Sequence, residues 1–228
     1  MKRIVCFVLA LVLLCSMIAC DSNSKQTQNE ATTQSAPATT ATTNSKEKEF
    51  EAAKVAYEDL VTVEVACDVL INVIYDAWYF TIYEEDDYYQ YAPALSAFCS
   101  RTGLKKDVVS ALVEKELENS GMEKTDSARV AVLSVTSCAI RIAISALEET
   151  VTSTEELLNL AKDHMKNLTS QYDDYTGYST LKSYYSELTS YFAFCKSPSG
   201  SFNQLETTMN NYKTNCSKYK NELSIIFD

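Results

Sequence analysis

Glycine and proline are scarce in this chain, and that scarcity narrows the fold more than any motif does. Four glycines and three prolines occur in 228 residues, against the roughly 7% and 5% of ordinary chains. Sandwiches and barrels spend such residues on tight turns. Doubly wound α/β folds spend glycine on strand–helix connections and phosphate loops. Both classes are disfavoured, and a mostly helical, all-α protein is expected.

The apolar spacing agrees. From Lys48 to Ile82 no Gly or Pro intervenes. Phe50, Ala53, Tyr57, Leu60, Cys67, Ile71, Ile74 and Trp78 recur at threes and fours, interrupted only by Glu64. That is one apolar stripe on a long helix. A second long helix is expected from Thr125 or Asp126, as its cap, to about Gln171. A third carries Leu181, Tyr184, Leu188, Tyr191 and Cys195. Pro198-Ser199-Gly200 breaks the chain, and Ser201 with Gln204 forms a capping box. The last helix repeats Phe202, Leu205, Met209, Tyr212, Cys216, Tyr219, Leu223 and Ile226, the intervals of knobs-into-holes packing. Short helices between Glu84 and Lys124 form an insertion. The expected fold is an antiparallel up-down bundle of four long helices, with that insertion at one end. Residues 47–228 make one domain.

The N-terminus is a different kind of polymer. Lys2 and Arg3 precede an apolar run from Ile4 to Leu14, shorter than the roughly 20 residues of a membrane-spanning helix and suited to a secretory leader. Met17-Ile18-Ala19-Cys20 resembles the lipobox of bacterial lipoproteins, with Met17 where Leu is usual. The resemblance implies cleavage after residue 19 and a diacylglyceryl thioether on Cys20. An ordinary leader or an uncleaved anchor is the alternative. Residues 20–46, rich in Ser, Thr, Asn and Gln, have little to bury and are expected to be a disordered tether.

The net charge is −11, and loss of Lys2 and Arg3 with the leader makes it more negative. This opposes nucleic-acid binding, which needs basic footprints. It also opposes electrostatic adhesion to anionic lipid, leaving membrane attachment to the lipid on Cys20, at the extracytoplasmic face.

Cys67, Cys99, Cys138, Cys195 and Cys216 lie in the expected domain without zinc-finger spacing. Counting along the helices at 1.5 Å per residue places Cys67, Cys138 and Cys216 in one layer and Cys99 and Cys195 near one end. A Cys99–Cys195 disulfide is therefore a candidate, as is another within the trio of Cys67, Cys138 and Cys216, with buried free thiols as the alternative. The same counting sets Arg141 level with Asp68, as an ion pair. Glu64, Asp68, Asn72 and Asp76 step along one helix face; such carboxylates can serve general acid/base work or a metal, but more often line a solvated face. His164, the only histidine, is expected at the surface. No phosphate loop, nucleophile elbow or H-E-x-x-H motif occurs, so neither a cofactor nor catalysis is expected.

Tyr75, Trp78, Tyr79, Phe80, Tyr83, Tyr88, Tyr89, Tyr91 and Phe98 crowd one stretch. Aromatics with a polar tip suit interfaces. Tyr75, Trp78, Tyr79, Tyr83, Tyr88, Tyr89 and Tyr91 are the candidate recognition surface for a protein, peptide or glycan; a local core under the insertion is the alternative. The Trp78-Tyr79 helix, the segment Tyr172, Tyr175, Tyr178, Leu181, Tyr184, Leu188, and Pro198-Ser199-Gly200-Ser201-Phe202 together resemble uncharacterised helical lipoproteins of Gram-positive bacteria. That resemblance implies a helical fold and transfers no activity. The favoured reading is a non-catalytic, lipid-anchored binding or scaffolding module. A solute-binding lipoprotein of a transporter and a cell-envelope hydrolase are the alternatives.

Overall fold

A computed structural model of the chain describes residues 39–84, 88–169 and 177–227. The leader expected over residues 1–19 and the lipidation expected at Cys20 lie outside them. The described residues form eight α-helices and no strand: α1 Thr39–Tyr83, α2 Tyr91–Thr102, α3 Lys106–Ser120, α4 Asp126–Ser134, α5 Thr136–Ala146, α6 Glu148–Thr169, α7 Tyr178–Lys196 and α8 Phe202–Phe227. The fold is all-α. α1 begins within the span expected as tether. Extending an existing helix costs far less than nucleating one, so polar residues can continue it.

The stripe on α1 is buried, and wider than the spacing implied. Ala56, Val63, Leu70, Ala77 and Phe80 are buried along with Ala53, Leu60, Cys67, Ile71 and Ile74. The reason is that α1 has neighbours on several sides. It bonds α7 through Glu64–Tyr184 and Asp68–Tyr191, α8 through Glu64–Lys220 and Asn72–Lys213, and α6 through Asp59–His164. Residue numbers rise together on α1 and α7. They run oppositely on α1 and α8, where Phe227 stacks on Tyr57 and Phe202 meets Trp78. α8 also packs on α7, and α7 on α6. The repeat read on α8 holds: Leu205, Met209, Cys216 and Leu223 are buried, and Tyr212, Tyr219 and Ile226 pack against the core. Its capping box is formed, with Ser201 N donating to Gln204 Oε1 at 2.7 Å and Gln204 N to Ser201 Oγ at 3.3 Å.

The long helix expected from Thr125 to Gln171 is not one helix. Thr125 does cap its start, accepting from Ala128 N at 3.2 Å. The chain then turns through 84° at Val135, which is extended (φ −79, ψ 113), and α5 stops at Leu147. Two physical causes act at the first break. The run Val130, Val132, Val135, Thr136 is rich in β-branched residues, which lose side-chain freedom in a helix. Thr136 Oγ1 is also held 2.9 Å from Thr81 Oγ1 on α1. As a result α4 and α5 pack with α2 and α3, and only α6 continues along the long helices. Gly103 and Gly121 end α2 and α3 with φ of 73° and 65°, a left-handed stop that other residues adopt only with strain. Among the described residues no single helix is long and apolar enough to cross a membrane; α4 and α5 reach that apolarity only as the bent pair.

Candidate functional site

The expected aromatic patch divides in two around α1. Tyr75, Tyr79 and Tyr83 are spaced four apart, so they line one side of the helix. Phe202, the first residue of α8, lies against all three, with ring centroids 4.9, 6.1 and 6.0 Å away. Tyr79 and Tyr83 are 4.6 Å apart. Tyr83 is 59% exposed, so the ladder opens to solvent at its C-terminal end. Trp78 meets the edge of Phe202 at 6.2 Å but is buried, and forms the floor under the ladder.

Arg101 of α2 fixes this face. Its guanidinium carbon sits 4.1 Å above the Tyr79 ring, a cation–π contact. It also donates to Glu84 and pairs with Asp76 at 3.6 Å. The hydrogen bond to Glu84 is the largest cause holding the Arg101 pKa above its ordinary value. Burial raises the pKa of Asp76, and Arg101 opposes that rise only in part. Burial, followed by the Glu206 carboxylate, pushes the Tyr75 phenol up. The face therefore carries aromatic rings bordered by one shared arginine and several acids.

The other aromatics face elsewhere. Phe80 packs edge-on to Phe98 at 5.4 Å and stacks with Tyr88 at 6.1 Å. Tyr91 donates to Ser110 Oγ at 3.2 Å and lies 5.7 Å from Arg129. These form the local core beneath α2 and α3. Tyr89 stands 89% exposed. Of the seven candidate recognition residues, Tyr75, Tyr79 and Tyr83 thus share a surface, Trp78 underlies it, and Tyr88, Tyr89 and Tyr91 do not belong to it. Phe202 does belong. Its signal was available, since counting residues puts the start of α8 level with the end of α1.

The carboxylate steps on α1 are bonds between helices. Glu64, 4% exposed, accepts from the Tyr184 hydroxyl and from Lys220 Nζ at 2.8 Å. Asp68 accepts from Tyr191 Oη at 2.8 Å, and Asn72 from Lys213 Nζ at 2.8 Å. Burial, then the partner carboxylate, pushes both phenols far above the usual tyrosine range, so they act as fixed donors. Arg141 pairs with Glu116 of α3 at 2.7 Å rather than with Asp68, because the turn at Val135 carries it away from the level that a straight helix would give. His164 is part-exposed, and its Nδ1 lies 3.1 Å from Asp59 Oδ2. Burial raises the Asp59 pKa even against that histidine.

Cys99 and Cys195 are separate free thiols. Cys195 reaches the Cys67 carbonyl oxygen at 3.6 Å, while Cys99, on α2, is near Lys106 and Asp107. Cys138 accepts from Arg141 at 3.2 Å and is outside the layer of Cys67 and Cys216. The straight-helix assumption misplaced it. Between α6 and α7 a shallow groove of about 440 Å³ is lined by Lys162, Met165, Lys166, Tyr178, Lys182 and Tyr185, among others. Among the described residues no three His, Cys, Asp or Glu side chains converge as a metal site. No family model, curated protein or solved structure matches the chain.

Proposed function

We propose that this chain is a lipid-anchored, non-catalytic binding or scaffolding protein on the extracytoplasmic face of a bacterial cell membrane. Cys20 carries the anchor, and two acyl chains hold a protein at a bilayer where one does not. α1, α6, α7 and α8 form the four-helix up-down bundle, and α2–α5 close the end where α1 finishes. The helix directions implied by Glu64–Tyr184, Asp68–Tyr191 and Lys213–Asn72 support that arrangement.

The observation that carries the reading is the ladder of Tyr75, Tyr79, Tyr83 and Phe202. Three tyrosine rings with polar tips and the Phe202 ring, at the edge of the core with Tyr79 held by Arg101, are pre-organised for contact, which lowers the entropy lost on binding. The partner is a protein, peptide or glycan that offers a flat apolar face to the rings. A hydrolase would need convergent carboxylates or a nucleophile–base pair. Glu64 and Asp68 are instead satisfied by tyrosine and lysine donors, which weighs against that alternative.

The test is surface crosslinking and pull-down from intact cells with the wild type and a Tyr79→Ala/Tyr83→Ala variant. Circular dichroism first establishes that the variant is folded. Loss of specific crosslinked species in the variant supports the reading. Recovery of identical partners from both proteins rejects it.

A further inference from the structure

Cys67 and Cys195 meet in the core between α1 and α7. Both are buried, and the Cys195 thiol donates to the Cys67 carbonyl oxygen at 3.6 Å. Cys195 is also the largest influence on the Cys67 thiol, which it and burial together push up. The other thiols are placed differently. Cys67 acts on Cys216 only through the longer-range effect of charge, Cys138 is engaged by Arg141, and Cys99 sits on α2. Among the five described cysteines, Cys67 and Cys195 are therefore the pair joined by a hydrogen bond, and it bridges two helices far apart in sequence.

We infer that Cys67 and Cys195 are a disulfide-forming pair that ties α1 to α7 when the chain folds in the presence of a small-molecule disulfide. The Cys67 thiolate attacks one sulfur of oxidised glutathione, forming a mixed disulfide and releasing one glutathione thiolate. The Cys195 thiolate then attacks the Cys67 sulfur and displaces the second glutathione. Two protein thiols are oxidised to one disulfide, one glutathione disulfide is reduced to two thiols, and the two protons pass to the released glutathiones.

The timing follows from burial. Only the thiolate is nucleophilic, and the Cys195 hydrogen bond, together with burial, holds the Cys67 thiol protonated in the folded state. Neither sulfur is accessible there to a reagent as large as glutathione. The bond must form before the core closes, and once made it is shielded from reductant. It spans 128 residues, a long loop whose closure restricts the unfolded chain. The inference goes beyond the surface-binding proposal and does not depend on the anchor.

The full chain, unfolded and reduced, is refolded in a mixture of oxidised and reduced glutathione. Helical circular dichroism establishes refolding, and free thiols are then blocked and peptides mapped without reduction. The expected result is a Cys67–Cys195 linked peptide in most molecules, retained in Cys216→Ser and lost in Cys195→Ser. Protein first folded in reductant and then moved to the same mixture is expected to keep both thiols free for hours. Reducing the linked form under denaturing conditions and refolding it reduced should lower the thermal midpoint by roughly 5–15 °C. Blocked thiols at both positions after oxidative refolding, or Cys195 linked to Cys216, Cys99 or Cys138, would overturn the inference.

Discussion

Replacing Lys220 by methionine should destabilise this protein more than replacing its whole buried network with apolar residues. Glu64 is 4% exposed and its carboxylate has two partners, the Tyr184 hydroxyl and Lys220 Nζ. Lys220→Met leaves the charge in the core with the phenol alone. Breaking a buried pair by removing one partner costs about 3–5 kcal/mol. The Lys220 side chain is 34% exposed, so water can reach the vacated side and the cost falls to or just below the bottom of that range: about 2–3 kcal/mol. For a domain of this size each kcal/mol moves the midpoint by roughly 2–4 °C, so the expected fall is roughly 5–10 °C. In Glu64→Leu/Tyr184→Phe/Lys220→Met no buried group is left without a partner, and the cost should stay within about 1 kcal/mol of wild type. Urea unfolding followed at a helical band, with the slopes compared to exclude a change in the unfolded state, measures both. A triple variant as unstable as Lys220→Met, or a single variant within about 0.5 kcal/mol of wild type, would refute the reasoning, since either shows that the unpaired charge is not what costs.

Three further outcomes follow from local geometry. Burial raises the Asp59 pKa above its ordinary value of 3.8, so the folded state binds that proton more tightly than the unfolded chain. This group's contribution to stability therefore grows as pH falls through the folded pKa, and at pH 7 the ionised form is a cost. Asp59→Asn should raise the thermal midpoint at pH 7 by up to about 1 kcal/mol equivalent, with the gain shrinking towards pH 4; a constant difference at both pH values would contradict this. Gly200→Ala should cost about 1–2 kcal/mol and Gly103→Ala about 1 kcal/mol, as judged by chemical denaturation. Both glycines have positive φ, but only at Gly200 would a Cβ stand 2.6 Å from Gln204 Oε1, the acceptor of the capping box. Arg101→Ala should lower stability by about 1–2 kcal/mol, because Asp76 and Glu84 lose the cation they share. Arg101→Lys should recover only part of it, because an ammonium lacks the planar fork, and tyrosine fluorescence of the exposed ladder would report the altered face.

Local sequence signals gave the ends and faces of helices well, and their long-range placement poorly. The capping box at Ser201 and Gln204, the cap at Thr125 and the repeat from Phe202 to Ile226 are each fixed by neighbours within four residues, so spacing alone reveals them. Glu64 marked itself by interrupting an apolar stripe, and it is the most buried carboxylate among the described residues. Its partners Tyr184 and Lys220 could not be chosen from spacing, because many tyrosines and lysines occupy equivalent faces. The turn at Val135 lay beyond the local signals for another reason. No glycine or proline sits there, and the break is sealed by a hydrogen bond to Thr81, 55 residues earlier.

The turn at Val135 explains two related misplacements together. Projecting a straight helix through Val135 put Arg141 beside Asp68 and Cys138 beside Cys67. With the 84° turn, Arg141 moves to Glu116 and takes Cys138 with it. Cys195, expected near one end beside Cys99, meets the Cys67 carbonyl instead, a placement between α1 and α7 that the turn does not affect. The aromatic stretch escaped this error because its ladder lies on α1, which has no break. Positions four apart on an unbroken helix share a side whatever the rest of the chain does, and Tyr75, Tyr79 and Tyr83 need only the start of α8 to complete their surface.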